Sequence, residues 1–170
     1  MLKKILLLLF LSSSAQAQWA LEVDPLAYLA KGYSGHLIYQ SSYGFSIDLG
    51  AFGMDFPDFA EPHDGFNTRF KGYGVKINYH GSRLDGAYWG VSGGTNEFEI
   101  EQTTTYEKQN TTINSVGVQF GYRWGQNGFY ISPWIGFDYV IDPPTLQFSS
   151  KSYEFPKVNV FPTVHLGYQF

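Results

Sequence analysis

Residues Val160 to Phe170 read VFPTVHLGYQF. Counting back from Phe170, every second residue is Tyr168, Leu166, Val164, Pro162 and Val160, with Gln169, Gly167, His165, Thr163 and Phe161 between them. One face is apolar along its whole length. That period of two is the mark of a β-strand, not of a helix.

Upstream, seven more segments carry the same alternation. The first, Trp19 to Asp24, stops at Pro25; the second, Gly32 to Gln40, sets Tyr33, Leu37 and Tyr39 against Ser34, His36, Ile38 and Gln40. A tight connection over Leu26 to Lys31 is expected between them. The third, Gly44 to Asp55, and the fourth, Arg69 to His80, alternate cleanly. In the fifth, Trp89 and Val91 share one parity, but Phe98 and Ile100 beyond Gly93-Gly94 share the other, which predicts a bulge at the glycine pair. The sixth runs from Ile113 to Trp124 and the seventh from Phe129 to Val140. Prolines at 133 and 162 each remove a ladder donor, so a weak seam between the seventh and eighth strands is expected.

The connections sort into two kinds. Gln40 to Tyr43, Gly81 to Gly86 and Gly125 to Gly128 are short, whereas Phe56 to Thr68, Gln102 to Thr112 and Ile141 to Lys157 are long and polar, and the two kinds alternate. An up-and-down barrel of eight antiparallel strands would collect the short turns at one end and the long loops at the other. One face of the strands is Gly, Ser, Gln, Asn, Asp, Lys and His, too polar for the dry core of a soluble barrel. The other carries aromatic residues near the strand ends, as a membrane-interface girdle does. The expected fold is therefore an all-β, eight-stranded, up-and-down transmembrane β-barrel.

The composition is consistent with that fold: 13 Tyr, 15 Phe, 4 Trp, 19 Gly and no Cys. The opening MLKKILLLLFLSSSAQA has Lys3 and Lys4, an apolar run from Ile5 to Leu11 and Ala15-Gln16-Ala17, the three regions of a secretory signal. The expectation is a signal peptide over residues 1–17 and a barrel over 18–170. The net charge of −4 becomes more negative once Lys3 and Lys4 are removed, which disfavours nucleic acid as a partner.

The signal, the alternating segments and the terminal HLGYQF together resemble the small eight-stranded outer-membrane proteins, such as the OmpA transmembrane domain, OmpX, OmpW and PagP. The resemblance implies the bacterial outer membrane of a Gram-negative cell. It implies contact with outer-membrane lipid and lipopolysaccharide, assembly by the barrel-assembly machinery through the last strand, and a protein partner at the loops. It does not select one activity, because such barrels share a fold and differ in function.

Two groups of residues are candidates for chemistry. Glu22, Asp24, His36, Asp48, Lys76, Gln119 and His165 all fall on the inward parity at similar heights, with Asp24, His36 and His165 expected side by side. The interior of an eight-stranded barrel leaves little room beyond side chains, so a lumenal ion-pair network is favoured over a proton relay. In the first long loop, Asp55, Asp58, Glu61, His63 and Asp64 crowd together as a cation or catalytic site, although their spacing fits no known metal motif, and a solvated loop is the simpler expectation. No cofactor or metal is expected. The functional expectation is a non-enzymatic surface or structural protein; the alternatives are a lipid A-modifying acyltransferase or deacylase and a narrow pore for small apolar molecules.

Overall fold

The computed structural model describes residues 18–57, 61–81 and 85–170; the expected signal peptide lies outside them. Eight strands close into one antiparallel barrel: β1 (Gln18–Val23), β2 (Tyr33–Gln40), β3 (Phe45–Asp55), β4 (Phe66–Tyr79), β5 (Gly86–Gln102), β6 (Lys108–Gln126), β7 (Phe129–Ile141) and β10 (Val158–Gln169). β10 pairs with both β7 and β1, which closes the wall. Two short strands, β8 (Thr145–Gln147) and β9 (Ser152–Glu154), form a separate hairpin within the last loop.

The expected alternation sets the burial. Along β2 the pattern is strict, with Ser34, His36, Ile38 and Gln40 buried and Tyr33, Leu37 and Tyr39 exposed. Trp19, Tyr39, Tyr79, Trp89, Tyr122, Trp124 and Tyr168 ring the short-turn end, facing outward. A contiguous exposed apolar band of this kind on a closed barrel is a lipid-facing surface. The turn between β6 and β7 is tight because Asn127 (φ 55) and Gly128 (φ 86) both accept positive φ, as a two-residue hairpin of this hand requires.

Four expectations need correction. There is no bulge at Gly93-Gly94: β4 and β6 stay in register with β5 straight through it, Gly74 opposite Gly94 and Gly93 opposite Val116. What changes there is the surroundings, not the phase. Below this level the outward side of β5 is apolar and meets lipid. Above it the same side carries Glu97, Glu99 and Glu101, paired with Lys71 and Lys108, while Phe98 and Ile100 on the inward side enter an apolar cluster. The wall of β4, β5 and β6 therefore leaves the membrane and continues as a water-soluble sheet with the opposite polarity.

The β7–β10 seam is intact. Its ladder runs unbroken from Val158 opposite Tyr139 to Tyr168 opposite Phe129. Pro133 points its missing donor the other way, toward β6, and there the pairing skips the rungs between Phe120–Gly121 and Trp124. Pro162 faces the side of β1, which ends at Val23 opposite Leu166 and so never reaches it. Third, the Leu26 to Lys31 connection holds a one-turn helix, α1 (Pro25–Leu29), with Asp24 accepting from the Leu26 N–H at 2.8 Å and proline in its first turn. Last, the Gln102 to Thr112 stretch is mostly strand, its connection shrinking to residues 103–107.

Candidate functional site

The interior divides into a polar plug within the membrane and an aromatic cap at the loop end. In the plug, β1 and β10 bring Glu22 and His165 to 2.7 Å, and β2, β3 and β4 bring Asp48 to 2.9 Å from His36 and 3.1 Å from Lys76. The His36 and His165 rings stack obliquely with centroids 4.6 Å apart, joining the two clusters. Asp24 is not the acid that meets the histidines. Its carboxylate accepts from Thr163 at 2.6 Å and from the helix N–H, because β1 ends there and the chain turns into α1. Gln119 donates to Asn78 at 2.6 Å, lower in the lumen.

Each plug charge thus has a partner, as burial in a low-dielectric interior demands. Lys76 also lies 4.3 Å over the Trp134 ring, and the Arg123 guanidinium sits 3.5 Å over Tyr130 while donating to Gln169 at 2.5 Å. Among the described residues, a cavity of about 20 Å³ lies beside the plug, bordered by Gln40, Ser46, His80, Tyr88 and Arg123. That volume holds about one water. Ser46 Oγ lies 3.0 Å from His80 Nε2, but Ser46 is 2% exposed, so its hydroxyl is not presented to a substrate.

The first-loop residues do not converge on a metal. Glu61 accepts from Thr68 at 3.1 Å and from the Tyr153 hydroxyl at 3.2 Å, His63 Nε2 lies 2.7 Å from the Glu154 carbonyl, and the Asp64 carbonyl accepts from Lys151 at 3.2 Å. Asp55 pairs with Arg69 at 2.6 Å, and Asp58 lies outside the described residues. Among the described residues, no three acidic or histidine groups come close enough to hold an ion. Instead, Glu61, His63 and Asp64 tie the first loop to the β8–β9 hairpin. Burial holds the Glu61 carboxyl above the ordinary carboxylate range despite its two hydroxyl donors.

The sequence did not show what the hairpin covers. Phe148, Tyr153 and Phe155 from the last loop pack on Phe66, Phe70, Phe98, Ile100, Ile113 and Val140 from the barrel rim. Rings meet edge-on, Phe66 with Phe148 at 5.1 Å and Phe98 with Phe155 at 5.1 Å. The signal was present in the parity of Phe98 and Ile100, which marks an apolar interior above the membrane.

No family model matches the chain, and no curated protein matches it. Solved structures do. Neisserial surface protein A is 13% identical, covers 91% of this chain and 93% of its own, and superposes with a TM-score of 0.52. A major outer membrane protein from Thermus thermophilus is 12% identical over 91% of this chain and 99% of its own, with a TM-score of 0.51. At such identities the likeness is one of fold: the chain is a closed, eight-stranded antiparallel transmembrane barrel of the kind found in bacterial outer membranes.

Proposed function

We propose that the protein is a non-enzymatic barrel of the bacterial outer membrane, exported by its N-terminal segment, with a structural or surface-interaction role exercised at the loop end. The observation that carries this reading is the occupied lumen: paired charges sit at the membrane level, the cavity beside them holds about one water, and an aromatic cap lies above. A pore needs a continuous path, and eight strands leave none around such a plug. A lipid-modifying enzyme needs a nucleophile or base facing lipid or water. Here His36 and His165 are buried in carboxylate pairs, and His63 is held by a backbone carbonyl.

What remains open to partners is the projecting wall of β4, β5 and β6, with its alternating acidic and basic residues, and the loop 103–107 at its tip. Contact with outer-membrane lipid and lipopolysaccharide, and assembly by the barrel-assembly machinery through β10, belong to the same reading. Mass spectrometry of lipid A from cells producing the protein tests the main alternative. Unchanged acyl number is the expected result; gain or loss of one acyl chain would overturn the non-enzymatic reading.

A further inference from the structure

The tight polar packing of the lumen stops short of the cap. Toward the short-turn end the inward side chains are sealed, Gln119 being 2% exposed. Higher on the same faces the Lys76 side chain is 17% exposed, and Ser92, Asn96, Ser115 and Asp138 are half-buried. These side chains point into a closed barrel, so the solvent that reaches them is lumenal.

β4 and β5 show where the space lies. Their inward rungs run from Phe70–Phe98 through Gly72–Asn96 and Gly74–Gly94 to Lys76–Ser92. Over Gly50, Gly72 and Gly117 lie the side chains of His36, Asn96 and Asp138. The Gly74–Gly94 rung differs: a methyl group built at either position would meet backbone, with no side-chain atom within 3.8 Å. Successive inward rungs are about 7 Å apart, so the wall is bare over a patch the size of a small molecule. Its floor is Lys76 against the Trp134 ring, and its roof is the stacked Phe70 and Phe98. Asn159, inward on β10 opposite Asp138, is exposed, which puts the way in on the side of the mouth that Phe148, Tyr153 and Phe155 leave uncovered.

The chemistry around this hollow is one-sided. Asp138 accepts from Ser92 at 3.1 Å and pairs with no basic residue among those described, while Lys76, opposite Ser92, is bound to Asp48. Asn96 Oδ1 accepts no hydrogen bond, and Ser92 and Ser115 add hydroxyl oxygens. A half-buried carboxylate with one hydroxyl donor is poorly compensated. An ammonium group supplies both the opposite charge and three donors. An anion would meet Asp138. A hard metal ion needs more oxygen ligands than one carboxylate, and no three acidic or histidine groups gather among the described residues.

We propose that the hollow at Gly74–Gly94 is a blind pocket, open to the loop side beside Asn159, that takes one small protonated amine with its ammonium group on Asp138. The pocket rests on the closed-barrel reading above, because the plug is its floor, and adds a ligand to it.

The test uses the full chain folded in detergent micelles, with ethylammonium as the probe and amide chemical shifts as the readout. The expected result is a saturable shift at Gly74, Gly94 and Ser115, with a dissociation constant on the order of 1 mM for so small a ligand held by one charged contact. Sodium chloride at equal strength, or tetramethylammonium, which has no N–H to donate, should not produce it. Asp138→Asn keeps an acceptor for Ser92 but removes the charge, and should weaken binding about tenfold. Ser115→Leu fills the hollow while leaving the carboxylate, and should abolish binding. The two variants act through different groups, so either one that folds decides.

Shifts that follow sodium chloride or tetramethylammonium equally, or that persist unchanged in a folded variant, would overturn the pocket. So would amides that show contact with water only at about 100 mM ethylammonium, a hundredfold above that constant. Such results in an inserted, non-conducting barrel would leave the closed-barrel reading standing, whereas conductance steps would overturn both.

Discussion

The Glu22 carboxylate and the His165 imidazole lie 2.7 Å apart across the seam where the first strand of the barrel meets the last. β1 offers β10 only the rungs from Ala20–Gln169 to Val23–Leu166, so this contact is a side-chain rung at the shortest join in the wall. Glu22 is 8% exposed and His165 2%. Removing one member leaves the other buried without its partner, which typically costs about 3 kcal/mol. His165→Ala and Glu22→Gln should each lower stability by roughly that amount in urea unfolding from lipid vesicles. A change of less than about 0.5 kcal/mol in both would show that the pair does not hold the seam.

Asp48 serves two partners, His36 at 2.9 Å and Lys76 at 3.1 Å. Asp48→Asn should therefore be as harmful as the loss of Glu22, and Lys76→Met should be milder in an Asp48→Asn background than alone. A double-mutant cycle should give a coupling of about 1–3 kcal/mol. Strict additivity would mean that the two charges act independently despite their contact.

Pro133 interrupts the β6–β7 ladder because it has no N–H to offer Tyr122. Pro133→Val keeps an apolar, strand-favouring side chain on the lipid-facing side and restores the donor. Stability should rise by about 1 kcal/mol, with slowed amide exchange at Tyr122 and Arg123. Unchanged exchange there would place the cause of the gap elsewhere.

The fold was legible from the sequence because period two and alternating connection lengths are local properties, visible in β2 and β10 residue by residue. The site was legible only in part. Inward parity selected Glu22, His36, Asp48, Lys76 and His165, but parity does not say which acid meets which base across strands. Asp24 sits two residues above Glu22 on the same face, and only the end of β1 at Val23 diverts it to α1 and Thr163. The supposed phase shift in β5 came from assuming that lipid surrounds the whole strand. Once the strand rises into water, apolar residues belong inside and Glu97, Glu99 and Glu101 outside. The cap depends on contacts between Phe66 and residues more than eighty positions later, a separation that no local pattern reports.

The cap should respond to pH through Glu61. Its carboxyl is held above the ordinary range by burial, so the folded cap binds that proton more tightly than the unfolded loop does. The contribution is fully present below the unfolded value and is lost as pH rises through the folded one. Amide exchange of the β8–β9 hairpin, corrected for intrinsic rates, should therefore slow as pH falls from neutral into the carboxylate range. Glu61→Gln keeps an acceptor for Thr68 and Tyr153 and should abolish that dependence while leaving the hairpin protected at neutral pH. Persistence of the full pH effect in Glu61→Gln would assign it to another group.

On the proposed function the barrel is closed to passage, by the Glu22–His165 and His36–Asp48–Lys76 plug below and the aromatic cap above. Planar-bilayer recording of the purified full chain tests it most directly. No stable conductance steps are expected from the wild type, and none after the β8–β9 segment 145–154 is replaced by a short glycine-serine linker, because the plug itself occupies the membrane level. Reproducible ohmic steps from the wild-type protein would contradict it.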